Sequence, residues 1–486
     1  MPGTQPPRIH RHPGPGEVTA AKSLPRINDY MSNTPDSDLQ RADLRIDPEW
    51  IIPIQPAGLT LQAHSVLIRD GRIVALVPRS EADALWRADV VQHLPGQVLM
   101  PGLVNLHCHA AMSLMRGLAD DLPLMTWLQQ HIWPAEGRHV SDAFVYDGSL
   151  LACAEMLRAG VTCFNDMYFF PEATARAARA AGMRAAIGLI VMDFPTTYAS
   201  DPEDYLAKGL AMRDAMRDSS SDDSLLSFCM APHAPYTVGN RSFERIVTLA
   251  EELELPIHVH LHETAEEIAT SLQQHGLRPL ARMQSLGVLG PRLIAVHAVH
   301  LTPQEIELLA RHGASVAHCP SSNLKLASGF APVAALLQAG VNLGLGTDGA
   351  ASNNRLDLLS EMRTASLLAK AVANHAEAMP AHAALHAATL AGARALGLES
   401  EIGSIEVGKA ADLIAIDLSQ DGDQPALRPL YQPASQLVYA AGREHVSHVW
   451  VAGRALLQAG QLLPAAFADL NSRVDLWQNR LVAELN

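Results

Sequence analysis

The chain has 486 residues, of which 48% are hydrophobic, and a formal net charge of −15 from 36 basic and 51 acidic residues. Basic residues form no cluster, which argues against nucleic acid or an anionic membrane as a partner. No apolar run approaches the ~18 residues that a membrane-spanning helix needs. We therefore expect a small neutral or polar substrate, and the length allows one α/β barrel of ~250 residues with smaller parts around it.

The first 40 residues differ from the rest in composition. They contain seven prolines and few apolar residues, which predicts a disordered tail over residues 1–40. The hydrophobic segment of a secretory signal is missing from this stretch. An alternative hypothesis is that Met31 is the true start.

Short strands are predicted near both ends of the folded chain. The run 65–77 alternates well and has Asp70-Gly71, a tight hairpin turn, in its middle. The runs 411–418 and 445–454 alternate in the same way. We expect one small β-sandwich built from residues 41–99 and 399–460, followed by a helical extension at 461–486.

Between residues 100 and 398, strand patterns alternate with helix patterns. Eight such units predict a closed (β/α)₈ barrel, with an open doubly wound sheet as the alternative. The predicted strands are Val104–His109, Val161–Phe164, Ala185–Val191, Leu225–Met230, Ile257–Leu261, Leu293–His297, Ala314–His318 and Val341–Thr347.

The tripeptide His107-Cys108-His109 ends the first of these strands. Side chains two apart on a strand point to the same side, so His107 and His109 project together while Cys108 points away. Two neutral imidazoles on one strand supply half of a tetrahedral metal site. We expect Cys108 to be buried and inert.

Residues of the same chemistry end several later strands, and a barrel gathers strand ends at one mouth. They are His258, His260, His262 and Glu263 on strand five, His297 on strand six and Asp348 on strand eight. The three histidines of strand five share one parity, so spacing alone does not choose the ligand among them.

Three imidazoles and one carboxylate suit Zn²⁺, and Fe²⁺ or Mn²⁺ less specifically. A divalent metal lowers the pKa of a bound water toward ~7. We hypothesise that Asp348 binds the metal and takes a proton from this water, and that His297 orients the hydroxide. Glu263 would protonate a ring nitrogen of the substrate and then the leaving group. The predicted reaction is hydrolysis through a tetrahedral intermediate.

Several motifs resemble those of one known enzyme family. Residues 101–117, His260-Leu-His-Glu-Thr and Gly346-Thr-Asp-Gly are similar to metal motifs of the amidohydrolase superfamily. Closer similarity is to the 5-methylthioadenosine/S-adenosylhomocysteine deaminases, through Asp166-Met-Tyr-Phe, Pro232-His-Ala-Pro-Tyr and Ser322-Asn-Leu-Lys-Leu. The resemblance covers about residues 45–455.

The resemblance implies a (β/α)₈ barrel with a β-sandwich from both termini and picks His260 as the strand-five ligand, beside His107, His109 and Asp348. It implies one metal, because segment 225–231 has no lysine to carry the bridging group of two-metal relatives. A homo-oligomer and a cytoplasmic location are also expected, the latter because five scattered cysteines without C-x-x-C pairs indicate reduced thiols.

The resemblance also implies roles for residues that contact the substrate. It gives Glu263 the proton shuttle and His297 the contact to hydroxide. It implies four further substrate contacts: Trp127 against the base, Glu136 at the ribose hydroxyls, and His233 and Ser352 at other polar atoms. His258 and His262 are expected to support the site, while His300 and His318 stay open between substrate contact and support.

One departure from the family concerns an arginine that serves the ribose and amino-acid end of the substrate in some members. Our alignment places Leu189 there. We therefore predict that 5′-methylthioadenosine or adenosine is a better substrate than S-adenosylhomocysteine, whose carboxylate requires a cation.

Two alternative functions remain. The same metal chemistry removes amino groups or chloride from guanine, cytosine or triazine rings. The chain could also be a non-catalytic barrel scaffold. Such a scaffold would be expected to have lost metal ligands or catalytic residues, whereas all six central positions are present here: His107, His109, His260, Glu263, His297 and Asp348.

Overall fold

The computed structural model describes residues 39–217, 225–419 and 427–483. The predicted tail therefore lies outside the described residues except for its last two positions, and so does Met31. Within the described ranges, no helix is both long and apolar enough to cross a membrane.

Before the barrel, the chain forms five strands and one helix: β1 (Gln40–Ile51), β2 (Leu61–Gln62), β3 (His64–Arg69), β4 (Arg72–Pro78), α1 (Arg79–Leu85) and β5 (Trp86–Pro101). Asp70 and Gly71 connect β3 to β4 with φ of 53° and 73°. Positive φ at both positions is what a two-residue hairpin of right-handed twist requires, so the predicted turn is confirmed.

The central region forms eight parallel strands in sequential order. They are β6 (Leu103–Cys108), β7 (Val161–Asp166), β8 (Arg184–Val191), β9 (Leu226–Pro232), β10 (Ile257–Leu261), β11 (Leu293–His297), β12 (Ser315–His318) and β13 (Asn342–Leu345). Beyond β13, the amide of Asp348 donates to the carbonyl of His107 at 3.0 Å, which joins the last strand to the first. The predicted (β/α)₈ barrel is confirmed.

The helices between these strands cover the barrel and the segment after β6. They are α2 (Leu124–Trp127), α3 (Trp133–His139), α4 (Asp142–Arg158), α5 (Pro171–Ala181), α6 (Pro202–Arg217), α7 (Asn240–Glu252), α8 (Ala265–His275), α9 (Pro279–Ser285), α10 (Pro303–His312), α11 (Pro320–Lys325), α12 (Val333–Gln338), α13 (Leu358–Ala373), α14 (Ala381–Ala387) and α15 (Leu390–Ala395). A 3₁₀ turn (Ala110–Met115) precedes α2, and a π-helical turn (Leu128–Ile132) joins α2 to α3.

The chain returns to the first sheet after the barrel, through β14 (Leu413–Asp417), α16 (Pro433–Tyr439), β15 (Val446–Val451), β16 (Arg454–Gln458), β17 (Gln461–Leu462) and α17 (Leu470–Ala483). Strand β14 pairs with β5, so both ends of the chain share one antiparallel sheet. This sheet reaches two residues past the predicted boundary at 460, because Gln461–Leu462 pair with β16.

A buried ion pair joins the sheet to the barrel. Arg184, at the start of β8, donates from Nε and Nη2 to the carboxylate of Asp412 at 2.9 and 3.2 Å. Asp412 also accepts the amide of Ala452. The two-point contact fixes the orientation of the guanidinium as well as its charge.

Candidate active site

Four ligating side chains converge where β6, β10 and β13 end. Each of these side chains offers one nitrogen or oxygen atom, and the four atoms all lie within 4.8 Å of one another. The residues are His107, His109, His260 and Asp348. Asp348 Oδ1 is 3.2 Å from the Nε2 atoms of both His107 and His109, and His107 Nε2 is 3.2 Å from His260 Nε2. Ligands at ~2.0–2.1 Å around a tetrahedral ion are ~3.3 Å apart. The donor set therefore fits one divalent metal.

Two of these imidazoles are oriented by backbone carbonyl groups. His109 Nδ1 donates to the carbonyl of Met167 at 2.6 Å, and His260 Nδ1 donates to that of His233 at 2.7 Å. A proton on Nδ1 leaves the Nε2 lone pair free for a metal. Burial lowers the pKa of His260 well below its usual range, so the ring stays neutral, as ligation requires.

The third imidazole is held by another histidine. His107 Nδ1 is 2.9 Å from Nε2 of His258, which is completely buried. Burial lowers the pKa of His258 well below its usual range, so it is a neutral acceptor for His107. Its Nδ1 has no partner among the described residues. His258 thus contacts the candidate ligand His107 but is not itself one of the four clustered ligands.

The remaining histidines near the motifs lie outside the cluster. His262 Nε2 accepts the amide of Leu280 at 2.9 Å, and its Nδ1 donates to the carbonyl of His300 at 3.1 Å. His300 Nε2 donates to the carbonyl of Ser328 at 2.7 Å. His318 is buried without a side-chain hydrogen bond among the described residues. None of the three lines the described cavity.

Asp348 is fixed from several sides. Its Oδ2 accepts the hydroxyl of Ser322 at 2.6 Å, and its Oδ1 accepts the amide of Gly349 at 2.7 Å. Burial acts to raise the pKa of Asp348, but the adjacent imidazoles of His107 and His109 hold it well below its usual range. The carboxylate is therefore ionised and ready to bind a cation.

Glu263 and His297 face each other beside the ligands. Glu263 is 5% exposed, and its Oε2 is 3.8 Å from His297 Nε2. Burial raises the pKa of Glu263, which favours the protonated form of a proton donor. His297 Nδ1 donates to Asn323 Oδ1 at 2.8 Å, so Nε2 faces the site.

A cavity opens beside these groups. We call one part of its lining the metal end; it is formed by His109, His260, Glu263, His297 and Asp348. We call another part the apolar wall; it is formed by Leu124, Leu128, Ile132, Trp133, Met167, Phe169, Ile190 and Met192. Within the described part of the chain, no lysine or arginine lines this cavity.

Two predicted substrate contacts come from the segment that follows β6. Trp127 is 5% exposed and lines the cavity. Glu136 also lines it and accepts the hydroxyl of Tyr168 at 2.7 Å. Burial raises the pKa of Glu136 to about 7, although the Tyr168 hydrogen bond opposes the rise.

The other two predicted contacts come from barrel loops. His233 follows β9 and lines the cavity, with Nδ1 3.0 Å from the hydroxyl of Thr237. Burial lowers the pKa of His233 to about 3, which keeps the ring neutral. Ser352 follows β13, lines the cavity and donates to the carbonyl of Gly349 at 3.1 Å. The structure thus brings all four predicted contacts to one cavity.

The placement of Leu189 in the substrate site is wrong. Its side chain packs against Gly209 of α6, where a Cβ on that glycine would lie 3.2 Å away. Ile190 and Met192 line the cavity instead. Neighbours on a strand point to opposite faces, so an alignment offset of one residue assigns the wrong face. The finding that no lysine or arginine of the described residues lines the cavity holds whether or not Leu189 is the aligned position.

Sequence reasoning also missed residues that shape the site. Ile132, Trp133 and Met192 line the apolar wall, but no local motif marks them. Ser322 and Asn323 hold Asp348 and His297. The only sequence feature that marks Ser322 and Asn323 is the Ser322-Asn-Leu-Lys-Leu motif. It indicated the family resemblance, but we assigned no chemical role to either residue from it.

Comparison with known proteins agrees with this geometry. The model of the amidohydrolase family matches residues 98–456. The 5-methylthioadenosine/S-adenosylhomocysteine deaminase of Saccharophagus degradans is 49% identical over 445 residues, which cover 91% of this chain and 98% of that protein. The chain belongs to the amidohydrolase family. The predicted resemblance is thereby confirmed.

Two further relatives of this amidohydrolase carry related names. The 5′-deoxyadenosine deaminase of Methanothermobacter thermautotrophicus is 44% identical over 403 residues, covering 83% of this chain and 91% of that protein. The crystal structure of an adenosine deaminase from Xanthomonas campestris with bound zinc is 49% identical, with a TM-score of 0.89, and covers 92% of this chain and all of that one. The ligand cluster and the zinc in this crystal structure together support a divalent-metal site in the present chain.

Proposed function

We propose that this protein is a metal-dependent hydrolytic deaminase of adenine nucleosides that releases ammonia and the corresponding inosine. The observation that carries the proposal is the meeting of the four-ligand cluster with the buried acid Glu263 at the metal end of the cavity. The names of the three relatives support an adenine nucleoside as the substrate.

We propose Zn²⁺ as the ion, held by His107, His109, His260 and Asp348. Three neutral imidazole nitrogens and one carboxylate oxygen suit zinc in a tetrahedral arrangement. When bound, such an ion lowers the pKa of water so that hydroxide is available near neutral pH. The zinc in the Xanthomonas campestris structure supports this choice over Fe²⁺ or Mn²⁺.

The residues at the metal end divide the proton transfers among them. Asp348 takes a proton from the attacking water, and His297 Nε2 orients the water toward C6 of the purine. Glu263 donates its proton to N1, which makes C6 electrophilic. Glu263 then moves the hydroxyl proton of the tetrahedral carbon toward the amino group. The C6–N bond breaks, its electron pair leaves with ammonia, and C6 becomes a carbonyl.

The rest of the cavity selects the nucleoside. Trp127 packs against the base, and the Glu136 carboxylate accepts hydrogen bonds from the ribose hydroxyls. His233 and Ser352 bind other polar atoms. The 5′ substituent then lies toward the apolar wall, where a methylthio group gains contact and a charged amino-acid group meets no lysine or arginine of the described residues. This supports 5′-methylthioadenosine or adenosine over S-adenosylhomocysteine.

A nucleoside panel tests the proposal. Ammonia release would be measured with 5′-methylthioadenosine, adenosine, S-adenosylhomocysteine, guanine and a chlorotriazine, and metal content would be determined in the same preparation. We expect the first two to react fastest, with about one metal per chain. Faster reaction of guanine or the triazine would contradict the substrate, and a metal-free protein without activity would favour a scaffold.

We propose a cytoplasmic location, because all five cysteines are buried and free.

We also propose that residues 100–398 form the catalytic unit, with 41–99 and 399–460 as the β-domain, which the pairing of Gln461–Leu462 with β16 lengthens by two residues. The residues after 462 form an extension. A homo-oligomer is proposed from the family resemblance, and sedimentation measures it.

A further inference from the structure

Two neighbouring barrel helices begin with the same capping sequence but use it differently. Thr264 precedes α8 and Thr302 precedes α10, and each threonine is followed three residues later by a glutamate, Glu267 or Glu305. In both helices the threonine hydroxyl accepts the amide of that glutamate, at 3.1 and 3.3 Å. At α10 the carboxylate of Glu305 returns to the amide of Thr302 at 2.8 Å. This is the usual reciprocal capping box.

At α8 the carboxylate reaches further back along the chain. Glu267 Oε1 accepts the amide of His262 at 2.9 Å, and Oε2 accepts the amide of Glu263 at 2.7 Å. One carboxylate therefore bridges two successive backbone amides before the helix. The second of these amides belongs to the residue that we propose as the proton shuttle.

The backbone at this point has an unusual conformation. His262 has φ of 58°, in the left-handed region that residues with a side chain rarely adopt. Successive amides next to such a residue form a concave pair that binds an anion. The His262 ring is also fixed, since Nε2 accepts the amide of Leu280 and Nδ1 donates to the carbonyl of His300. Ring and backbone together hold the turn in which Glu263 leaves β10.

Besides the amides of His262 and Glu263, the Glu267 carboxyl group has only the backbone of Thr264 as a partner among the described residues. It is 5% exposed, and no ion pair to it occurs among the described residues. Glu305 by contrast accepts Arg278 Nε at 2.8 Å. An isolated buried carboxylate is costly unless backbone amides satisfy it. Burial raises the pKa of Glu267 to about 8, although the amides of His262 and Glu263 oppose the rise. The buried carboxyl group of Glu267 is therefore satisfied by backbone amides, two of which are those of His262 and Glu263.

We infer that Glu267 is a positioning residue for deamination: its carboxylate fixes the backbone of Glu263 so that the Glu263 carboxyl is aimed at the substrate. The inference rests on the proposed function, because it assigns Glu267 a purpose only if Glu263 moves protons. A displacement of about 1 Å in such a group costs ~10²-fold in rate.

Glu267→Gln tests the inference, with Glu305→Gln as the matched control. Glutamine keeps the size but presents an NH₂ group to one of the two amides. We expect kcat for 5′-methylthioadenosine to fall about 10- to 100-fold, with KM within about twofold and metal content unchanged. Glu305→Gln loses the same type of cap and is expected to lower Tm while kcat stays within about twofold of wild type.

A change of leaving group separates positioning from general damage. Chloride leaves 6-chloropurine riboside without accepting a proton, whereas the amino group must be protonated. Glu267→Gln should therefore lose at least threefold less kcat on the chloro substrate than on the amino substrate. If the glutamine variant does not fold, Glu267→Asp retains the carboxyl group but is too short to reach both amides, and the same ratio is measured.

The outcomes separate this inference from the proposed function. Wild-type kcat in Glu267→Gln, an equal loss on both substrates, or loss of the metal would each overturn the positioning role while leaving the deaminase intact. If the wild-type protein were inactive on both 5′-methylthioadenosine and 6-chloropurine riboside, the proposed function would be overturned, and the inference with it.

Discussion

The metal end and the apolar wall are built by different parts of the chain. At the metal end, the side chains leave strands β6, β10, β11 and β13, whose backbones are fixed by the barrel's hydrogen bonds. Half of the apolar wall comes from the segment between β6 and α4, through short helical turns such as Leu128–Ile132. Reactive groups thus sit at the ends of barrel strands, and half of the apolar lining sits on a segment outside the barrel sheet.

The metal end and the rest of the lining also differ in how their polar atoms are satisfied. At the metal end, each imidazole ligand has its second nitrogen engaged, at 2.6 to 2.9 Å. Along the rest of the lining, Glu136 is partly buried with the Tyr168 hydroxyl as its partner. We therefore expect substitutions at the metal end to abolish chemistry and those elsewhere to change substrate preference or pH response.

The largest effect is expected from Glu263→Gln. Glutamine keeps the shape of the side chain but cannot donate a proton to the purine ring. We expect kcat to fall by about 10²–10⁴-fold while metal content stays at the wild-type level. Ammonia release and elemental analysis on one preparation check both parts.

Glu136→Gln is the comparison outside the metal end. It also replaces a carboxyl group by an amide, but it should raise KM more than it lowers kcat, because we propose that Glu136 contacts the ribose. Near-normal turnover in Glu263→Gln would remove that residue from the mechanism and erase the contrast between the metal end and the rest of the lining.

A smaller effect is expected from the histidine that supports the cluster. His258→Phe removes the acceptor 2.9 Å from His107 Nδ1. Loss of such a partner weakens metal binding by about 10- to 100-fold, which competition with a chelator measures. His258→Gln retains a polar atom near the position of Nε2 and should recover part of the affinity.

His318→Phe provides the matched control for that measurement. His318 is as deeply buried as His258 but has no side-chain hydrogen bond among the described residues. Its replacement should leave metal affinity unchanged. Equal metal loss in both variants would show that burial in the barrel, and not the contact to His107, sets the affinity.

The metal end was more accessible to sequence reasoning than the apolar wall. The alternation of His107 and His109 and the eight β/α units together predict which residues meet at the barrel mouth. Spacing could not choose among His258, His260 and His262, because all three share one parity. In the structure, His260 reaches the cluster, His258 supports it, and His262 turns away after the chain adopts a left-handed φ. That turn has no signal in the hydrophobic pattern.

The apolar wall could not be predicted in the same way. Ile132 and Trp133 occupy a helical segment in which cavity-facing and core-facing side chains are equally apolar. Met192 lies just beyond β8, where an offset of one residue exchanges the faces, and the assignment of Leu189 failed for this reason. The second use of the capping sequence, by Glu267, depends on backbone geometry that the threonine–glutamate spacing does not reveal.

Substrate preference offers a test of the apolar wall. Met192→Ala removes a flexible apolar side chain from the cavity lining. We expect the ratio of kcat/KM for 5′-methylthioadenosine to that for adenosine to fall by about tenfold, since losing apolar contact with one small group costs of this order. The two substrates would be compared in direct competition.

Leu189→Ala is the control from the same stretch of chain. Leu189 packs against α6, so its replacement should lower Tm and leave the substrate ratio unchanged. A change of the ratio in Leu189→Ala, without one in Met192→Ala, would place the 5′ substituent elsewhere.

The smallest effect concerns the pH response of Glu136. Burial raises its pKa to about 7, while the Tyr168 hydroxyl opposes the rise. If the ionised carboxylate binds the ribose, kcat/KM should fall as the pH drops below about 7. Tyr168→Phe removes a donor to the ionised form, so the pKa of Glu136 rises further and the fall should begin at a higher pH.

The pH dependence of kcat/KM in wild type, Tyr168→Phe and Glu136→Gln checks this prediction, because kcat/KM reports groups of the free enzyme. Glu136→Gln carries no titrating group at this position, so its profile should lack the fall near pH 7 and keep any limb that belongs to the metal end. An unchanged profile in both variants would mean that Glu136 does not titrate in the range measured. The metal end and the rest of the lining would then differ in polarity and construction but share a single pH response, set at the metal end.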